Sequence, residues 1–182
     1  APRFWDYSRL ARANAYGEQC AVLGIAVHPA DEHNILVVTR RVGGSSAFRT
    51  LDDGHSWKAI ADDLTRANPQ LDLACAAAHP LLPNVIYLGA RGGQRVFVSA
   101  DGGATWPLQR DPGGRVTRLI VDRNSGADWH TATLYAATSS GVATSVDGGD
   151  TWTMAAIGEV TSLVVYMPIA GPRKFYAGVY GK

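Results

Sequence analysis

The residues whose types could do chemistry in this chain are few and widely spaced. Three aspartates recur in one fixed context. It reads Thr50-Leu51-Asp52-Asp53-Gly54-His55-Ser56-Trp57, then Ser99-Ala100-Asp101-Gly102-Gly103-Ala104-Thr105-Trp106, then Ser145-Val146-Asp147-Gly148-Gly149-Asp150-Thr151-Trp152, with the common form S/T-x-D-x-G-x-x-W. A short carboxylate in such a stretch accepts hydrogen bonds from the amides of its own turn, and Gly54, Gly103 and Gly149 allow positive φ where a side chain would clash. Carboxylates tied up in this way are poor general acids or bases, so Asp52, Asp101 and Asp147 are assigned to structure.

The remaining candidates point to binding at most. Arg40, Arg41, Arg91 and Arg95 could form an anion- or partner-binding rim, with Arg66, Arg110 and Arg115 as further cations and Asp62, Asp63, Asp72 and Asp111 among them. The other reading of the same charges is a mixed, solvated face. His28 and His79 each precede a proline at the same repeat position, which turn geometry explains; His33, His55 and His130 have no partner at ligand spacing. No metal and no cofactor is expected. Cys20 and Cys75 fall at different repeat positions and have no zinc-ligand spacing, so they read as buried thiols, with a disulfide open if the chain is exported.

The elements that position these residues follow from the period. The three stretches begin at 50, 99 and 145, a spacing suited to a small sheet that cannot bury its faces alone. Trp57, Trp106 and Trp152 then begin the outgoing strand as amphipathic plates, expected to be largely buried between neighbouring sheets. The first unit reads as strands at 21–27 and 35–39, a third ending in Thr50 and a fourth from Trp57. The second unit has 73–78, 85–89, 96–99 and the strand from Trp106; the third has 116–121, a longer loop with Asp128, Trp129 and His130, then 133–137, 142–145 and the strand from Trp152. The fourth supplies only 160–165 and 174–178. No stretch reads as a helix.

The repeated stretch resembles the Asp-box, or BNR, repeat, found in sialidases, xyloglucan-hydrolysing glycosidases, sortilin-type sorting receptors and photosystem-assembly factors. The resemblance covers about residues 20 to 182. It implies an all-β fold: a β-propeller segment of four-stranded blades with Asp-box hairpins, about three and a half blades, part of a larger ring. Residues 1–19 are a non-repeat leader, and 20–182 are the blades, the fourth incomplete. In those families the box is a structural hairpin remote from the active site, so fold is implied and activity is not. Glycoside hydrolysis needs two carboxylates across a cleft, or in sialidases a tyrosine nucleophile with an arginine cluster. The xyloglucan-hydrolysing family has an R-T-D-x-G-G stretch; the nearest here is Thr39-Arg40-Arg41-Val42-Gly43-Gly44, with Arg41 where the aspartate would stand. The sialidase R-I-P motif is missing too.

Composition excludes other classes. A formal net charge of +1 gives no reason to expect nucleic acid, and no apolar run is long enough for a transmembrane segment. The first expectation is a non-catalytic scaffold or protein-interaction module in an exported or membrane-associated assembly, with an extracytoplasmic location (secreted, periplasmic or lumenal). The alternative is a fragment of a sialidase- or xyloglucanase-like glycoside hydrolase, with a glycan as ligand and its catalytic residues outside this chain. The edge at Lys174 to Gly178, bearing Phe175 and Tyr176, is expected to be capped by a protein partner or by continuation of the same chain.

Overall fold

Residues 35–38, 86–88 and 134–137 are runs of consecutive apolar or aromatic side chains, and each run feeds two cores at once. Leu36 and Val38 pack into one cluster, Ile35 and Val37 into another; Ile86 and Leu88 part from Tyr87 in the same way, and Leu134 from Tyr135. A strand sends alternate side chains to opposite faces, so continuous apolarity marks a sheet covered on both sides. In the computed structural model, which describes residues 20–41 and 44–181, every regular element except two short helical turns is a strand.

The first sheet holds β1 (Ala21–His28), β2 (Asp31–Arg41), β3 (Gly44–Thr50) and β4 (Lys58–Ala59), paired antiparallel in sequence order. The second repeats this with β5 (Leu73–Ala78), β6 (Ile86–Ala90), β7 (Val96–Ser99) and β8 (Leu108–Arg110). The third has β9 (Val116–Val121), β10 (Leu134–Thr138), β11 (Gly141–Ser145) and β12 (Thr153–Ala156). The last pairs only β13 (Val160–Tyr166) with β14 (Lys174–Val179). The innermost strands β1, β5, β9 and β13 are successive neighbours and line a common groove. Among the described residues β14 has no strand on its outer side, and Phe175 and Tyr176 upon it are 45% and 61% exposed.

Successive sheets are joined by mixed aliphatic and aromatic layers. Between the first two lie Leu36, Val38, Ile60, Leu88, Phe97 and Trp106; between the second and third lie Tyr87, Val98, Val116, Leu119 and Leu134. The repeated turns belong to these layers. Gly103 stands at φ +87°, and a Cβ there would come within 2.6 Å of Ile60 Cβ on the preceding sheet. Trp106 follows it in, donating from Nε1 to the Ile60 carbonyl at 2.8 Å.

Two sequence expectations need correction. Of the three tryptophans only Trp106 is fully buried; Trp57 and Trp152 are half-buried. Trp57 lies on the outward face of the first sheet, whereas Trp152 packs against the layer between the second and third sheets and donates from Nε1 to the Gly149 carbonyl of its own turn at 3.1 Å. The chain also contains a helix, α1 (Asp62–Ala67). Asp62 and Asp63 in its first turn and Arg66 in its last complement the helix dipole, and Leu64 is buried beneath it. One and a half turns carry too few residues for a 3.6-residue period to show in sequence. The leader expected at 1–19 lies outside the described residues.

Gly103→Ala should therefore destabilise by about 1–3 kcal/mol, from overpacking against Ile60 and a strained φ. Gly126→Ala, with no heavy atom within 4 Å of the added Cβ, should leave the urea midpoint unchanged. Equal midpoints for the two variants would show that this turn is not packed between sheets.

Candidate functional site

Each repeated turn is closed by its own side chains. Ser99 Oγ accepts from the Gly103 amide at 2.8 Å and donates to Asp101 Oδ1 at 2.7 Å. Asp101 Oδ1 also accepts from the amides of Ala104 and Thr105 at 3.0 and 2.9 Å, and Oδ2 from the Thr105 hydroxyl at 2.6 Å. Asp147 repeats the pattern with Ser145, Gly149 and Thr151, and Asp52 with Thr50, Gly54 and Ser56. The Thr105 hydroxyl and amide hold the Asp101 carboxyl down to about 2, and those of Ser56 hold Asp52 well below its ordinary range. For Asp147 partial burial works upward, but the bonds from Thr151 and Ser145 win and its value is lowered. None of the three is a proton donor near neutral pH.

The turns lie beside the loops that join first and second strands. Gly102 donates to the Asn84 carbonyl and Gly148 to that of Ala132, each at 2.9 Å. On this side the structure reveals a repeat position that sequence reading followed only in part. His28 and His79 close the turn after their strands, Nδ1 accepting from Ala30, or from Leu81 and Leu82, at 3.2 Å. Asp122 does the same for Asn124 at 2.9 Å, and its Oδ2 receives Arg173 Nε at 2.7 Å and the Tyr135 hydroxyl at 3.2 Å. Burial pushes Asp122 upward, yet Arg173 and its other donors outweigh it and the value falls; burial, with Asp122 beside it, pushes Tyr135 up to about 12. The signal available was register: Asp122 follows its inner strand as His28 and His79 follow theirs, without the proline. His130, expected to lack a partner, stands 3.0 Å from Asp128 Oδ1, two residues earlier in the same 3-10 turn.

The rim arginines are largely engaged. Arg40 pairs with Asp72, Arg91 Nε stands 3.7 Å from the same carboxylate, Arg66 meets Asp63 at 3.1 Å and Arg115 meets Glu159 at 3.6 Å. Arg110, expected on this rim, reaches instead to Asp150 of the third repeated turn, 2.7 Å away. Arg41 closes β2, and its side chain lies outside the described residues. Arg95 and Arg118 have no carboxylate partner among the described residues. Arg118 lines the groove of about 410 Å³ between the inner strands, which otherwise presents aliphatic side chains, Cys75, Thr117, Thr161 and Ser162, and no Asp or Glu. Burial pushes the Cys75 thiol up to about 12 although the charges of Arg118 and Arg91 act the other way, and no disulfide joins it to Cys20.

Antiparallel sheets stacked face to face, with their first strands lining a common groove, define a β-propeller, here an arc of three four-stranded blades and a two-stranded one. Solved structures agree. The GH74 enzyme of Niastella koreensis matches 80% of this chain at TM-score 0.58 and 20% identity, over 24% of its own length. YCF48 of Cyanidioschyzon merolae matches 90% at TM-score 0.55 and 12% identity, over 58% of its length, and YCF48 bound to the D1 peptide matches 80% at 0.53 and 16%, over 46%. The chain thus spans about a quarter of the first and about half of the others, and at these identities the likeness is one of fold. No protein-family model and no curated protein matches the sequence.

Two titration outcomes follow. Because the Asp101 value is depressed in the fold, its contribution is present above the unfolded value of about 3.9 and is lost as pH falls toward about 2. Asp101→Asn should be less stable than the native chain at pH 7 and match it near pH 2 by urea denaturation. Burial lowers the values of His28 and His79, so the unfolded chain binds more protons below 6.5 and stability should decline as pH falls through that value. His79→Asn, which keeps an acceptor where Nδ1 stood, should weaken that dependence; an unaltered profile would contradict the burial of this ring.

Proposed function

We propose that the chain is a non-catalytic, protein-binding propeller module of an extracytoplasmic assembly, and that its groove receives an acidic segment of a partner. The observation that carries this reading is the groove's lining: arginine and aliphatic side chains, and no carboxylate among the described residues. Acid–base hydrolysis of a glycoside needs two carboxyl groups across such a cleft, whereas unpaired Arg118 offers bidentate donation to an acidic side chain. The Asp-box character of the three turns agrees with it, since those turns hold their carboxylates in structure. The structurally similar YCF48 was solved with the D1 peptide bound. No helix among the described residues is long and apolar enough to cross a membrane. The open edge of β14 supplies a second contact, where a partner strand, or further polypeptide of the same protein, would pair its backbone and cover Phe175 and Tyr176.

The second reading is a segment of a carbohydrate-active hydrolase whose carboxylates lie outside this chain. The likeness in fold to GH74 enzymes is what favours it.

The two separate in a binding experiment. A fluorescein-labelled glutamate-rich peptide should bind, measured by anisotropy, and Arg118→Glu should weaken it about tenfold or more through loss of a charge-assisted pair. Glucan oligosaccharides should not compete. Oligosaccharide binding with no response to the acidic peptide would overturn the proposal in favour of the second reading.

A further inference from the structure

The second and third blades enclose a pocket on the side of the repeated turns, away from the groove and its Arg118. Its volume is about 400 Å³ and its walls are Pro107, Leu108, Trp129, His130, Asp147 and Asp150. The third blade owes it to an insertion. The link between first and second strands is residues 29–30 in the first blade and 79–85 in the second, but 122–133 in the third. Within that link Trp129 to Thr131 form a 3-10 turn, capped by Asp128 accepting from the His130 amide. The turn rests directly on the repeated stretch: a Cβ on Gly148 would come within 2.3 Å of the Trp129 carbonyl. Only a glycine there lets the loop dock.

Docking fixes the chemistry of the pocket. The Trp129 indole stacks on the His130 ring with centroids 3.8 Å apart, and its Nε1 donates to no group among the described residues. Asp150 occupies the place held by Ala104 and His55 in the other two repeats, so this turn alone carries a second carboxylate there. Asp128 and Asp147 add negative charge, and Arg110 uses Nη2 on Asp150 Oδ1 at 2.7 Å. Asp150 is 53% exposed at its side chain, so its remaining lone pairs face the opening. Pro107 and Leu108 supply an apolar wall of the length an aliphatic stem needs.

We infer that this pocket binds an arginine side chain of a basic peptide segment in a protein partner, the indole of Trp129 taking the face of the guanidinium and Asp150 its edge. An indole is the best aromatic partner for a cation, and guanidinium pairs with carboxylate through parallel donors. The local excess of carboxylate over cation selects positive charge over the acidic segment assigned to the groove. This site therefore stands or falls separately from the groove.

The test is anisotropy with a labelled arginine-rich heptapeptide and its citrulline counterpart, which keeps shape and loses charge, alongside the indole N–H resonance of Trp129. The arginine peptide should bind and shift that resonance, and the citrulline peptide should bind about fivefold or more weakly. Asp150→Asn and Trp129→Leu should each weaken binding comparably, while Arg110→Gln, which removes the competing cation, should strengthen it. The gain from Arg110→Gln does not depend on how well Trp129→Leu folds. Equal binding of the two peptides, weaker or unchanged binding by Arg110→Gln, or a shift of Trp129 by neutral oligosaccharide alone would overturn the assignment.

Discussion

None of the first three sheets can be stable by itself, because the second strand of each is apolar on both faces. Tyr87 and Val98 of the second blade look one way, Leu88 and Phe97 the other, and all are essentially excluded from water. A sheet so built requires a neighbour on either side, and the fold is the geometric solution: sheets stacked around a common groove. The locked turns serve that stacking. An aspartate that satisfies its own turn's amides permits a glycine to lie flat against the preceding blade, as Gly103 does against Ile60 and Gly149 against Val98. A turn with unsatisfied amides would instead need water in a layer that excludes it.

The same arrangement separates two chemistries. The side of the repeated turns carries carboxylates, some held in hydrogen bonds and some paired with Arg110 or Arg173, whereas the groove and the opposite rim carry arginines, several neutralised by Asp72, Glu159 and Asp63. What is left over on each side is small: Arg118 and Arg95 on one, and on the other the second oxygen of Asp150, whose Oδ1 Arg110 engages, beside Trp129. These residues are not needed for the stacking, and that is why binding is assigned to them. The buried Asp122, by contrast, is fully occupied by Arg173, Tyr135 and Asn124 and is a fastening between the third blade and the last.

Strands and turns were legible in the sequence because their rules are local. Two-residue alternation and the S/T-x-D-x-G spacing act within a few positions, so strands such as Leu73–Ala78, Val96–Ser99 and Val116–Val121 were placed at their observed bounds. What sequence could not give depends on distant partners. Asp72 is 32 residues from Arg40, and nothing local makes them a pair. Arg110 was assigned by its loop, but its side chain is long enough to answer Asp150 across a blade boundary. Trp129 stood out as part of an unusual loop, yet only the docking of that loop on Gly148 turns it into a pocket wall. The half-burial of Trp57 has the same origin, since a shared motif position does not guarantee a shared neighbour.

If covered faces set stability, native-state hydrogen exchange will rank the blades. Amides of β6, in a sheet with neighbours on both faces, should exchange only through global unfolding, together with those of β10. Amides of β14, in a two-stranded sheet with an open edge, should exchange through local opening at markedly lower free energy. That order, with β6 and β10 most protected and β14 least, is the result the account requires. Protection of Phe175 to Ala177 equal to that of Tyr87 and Leu88 would contradict it.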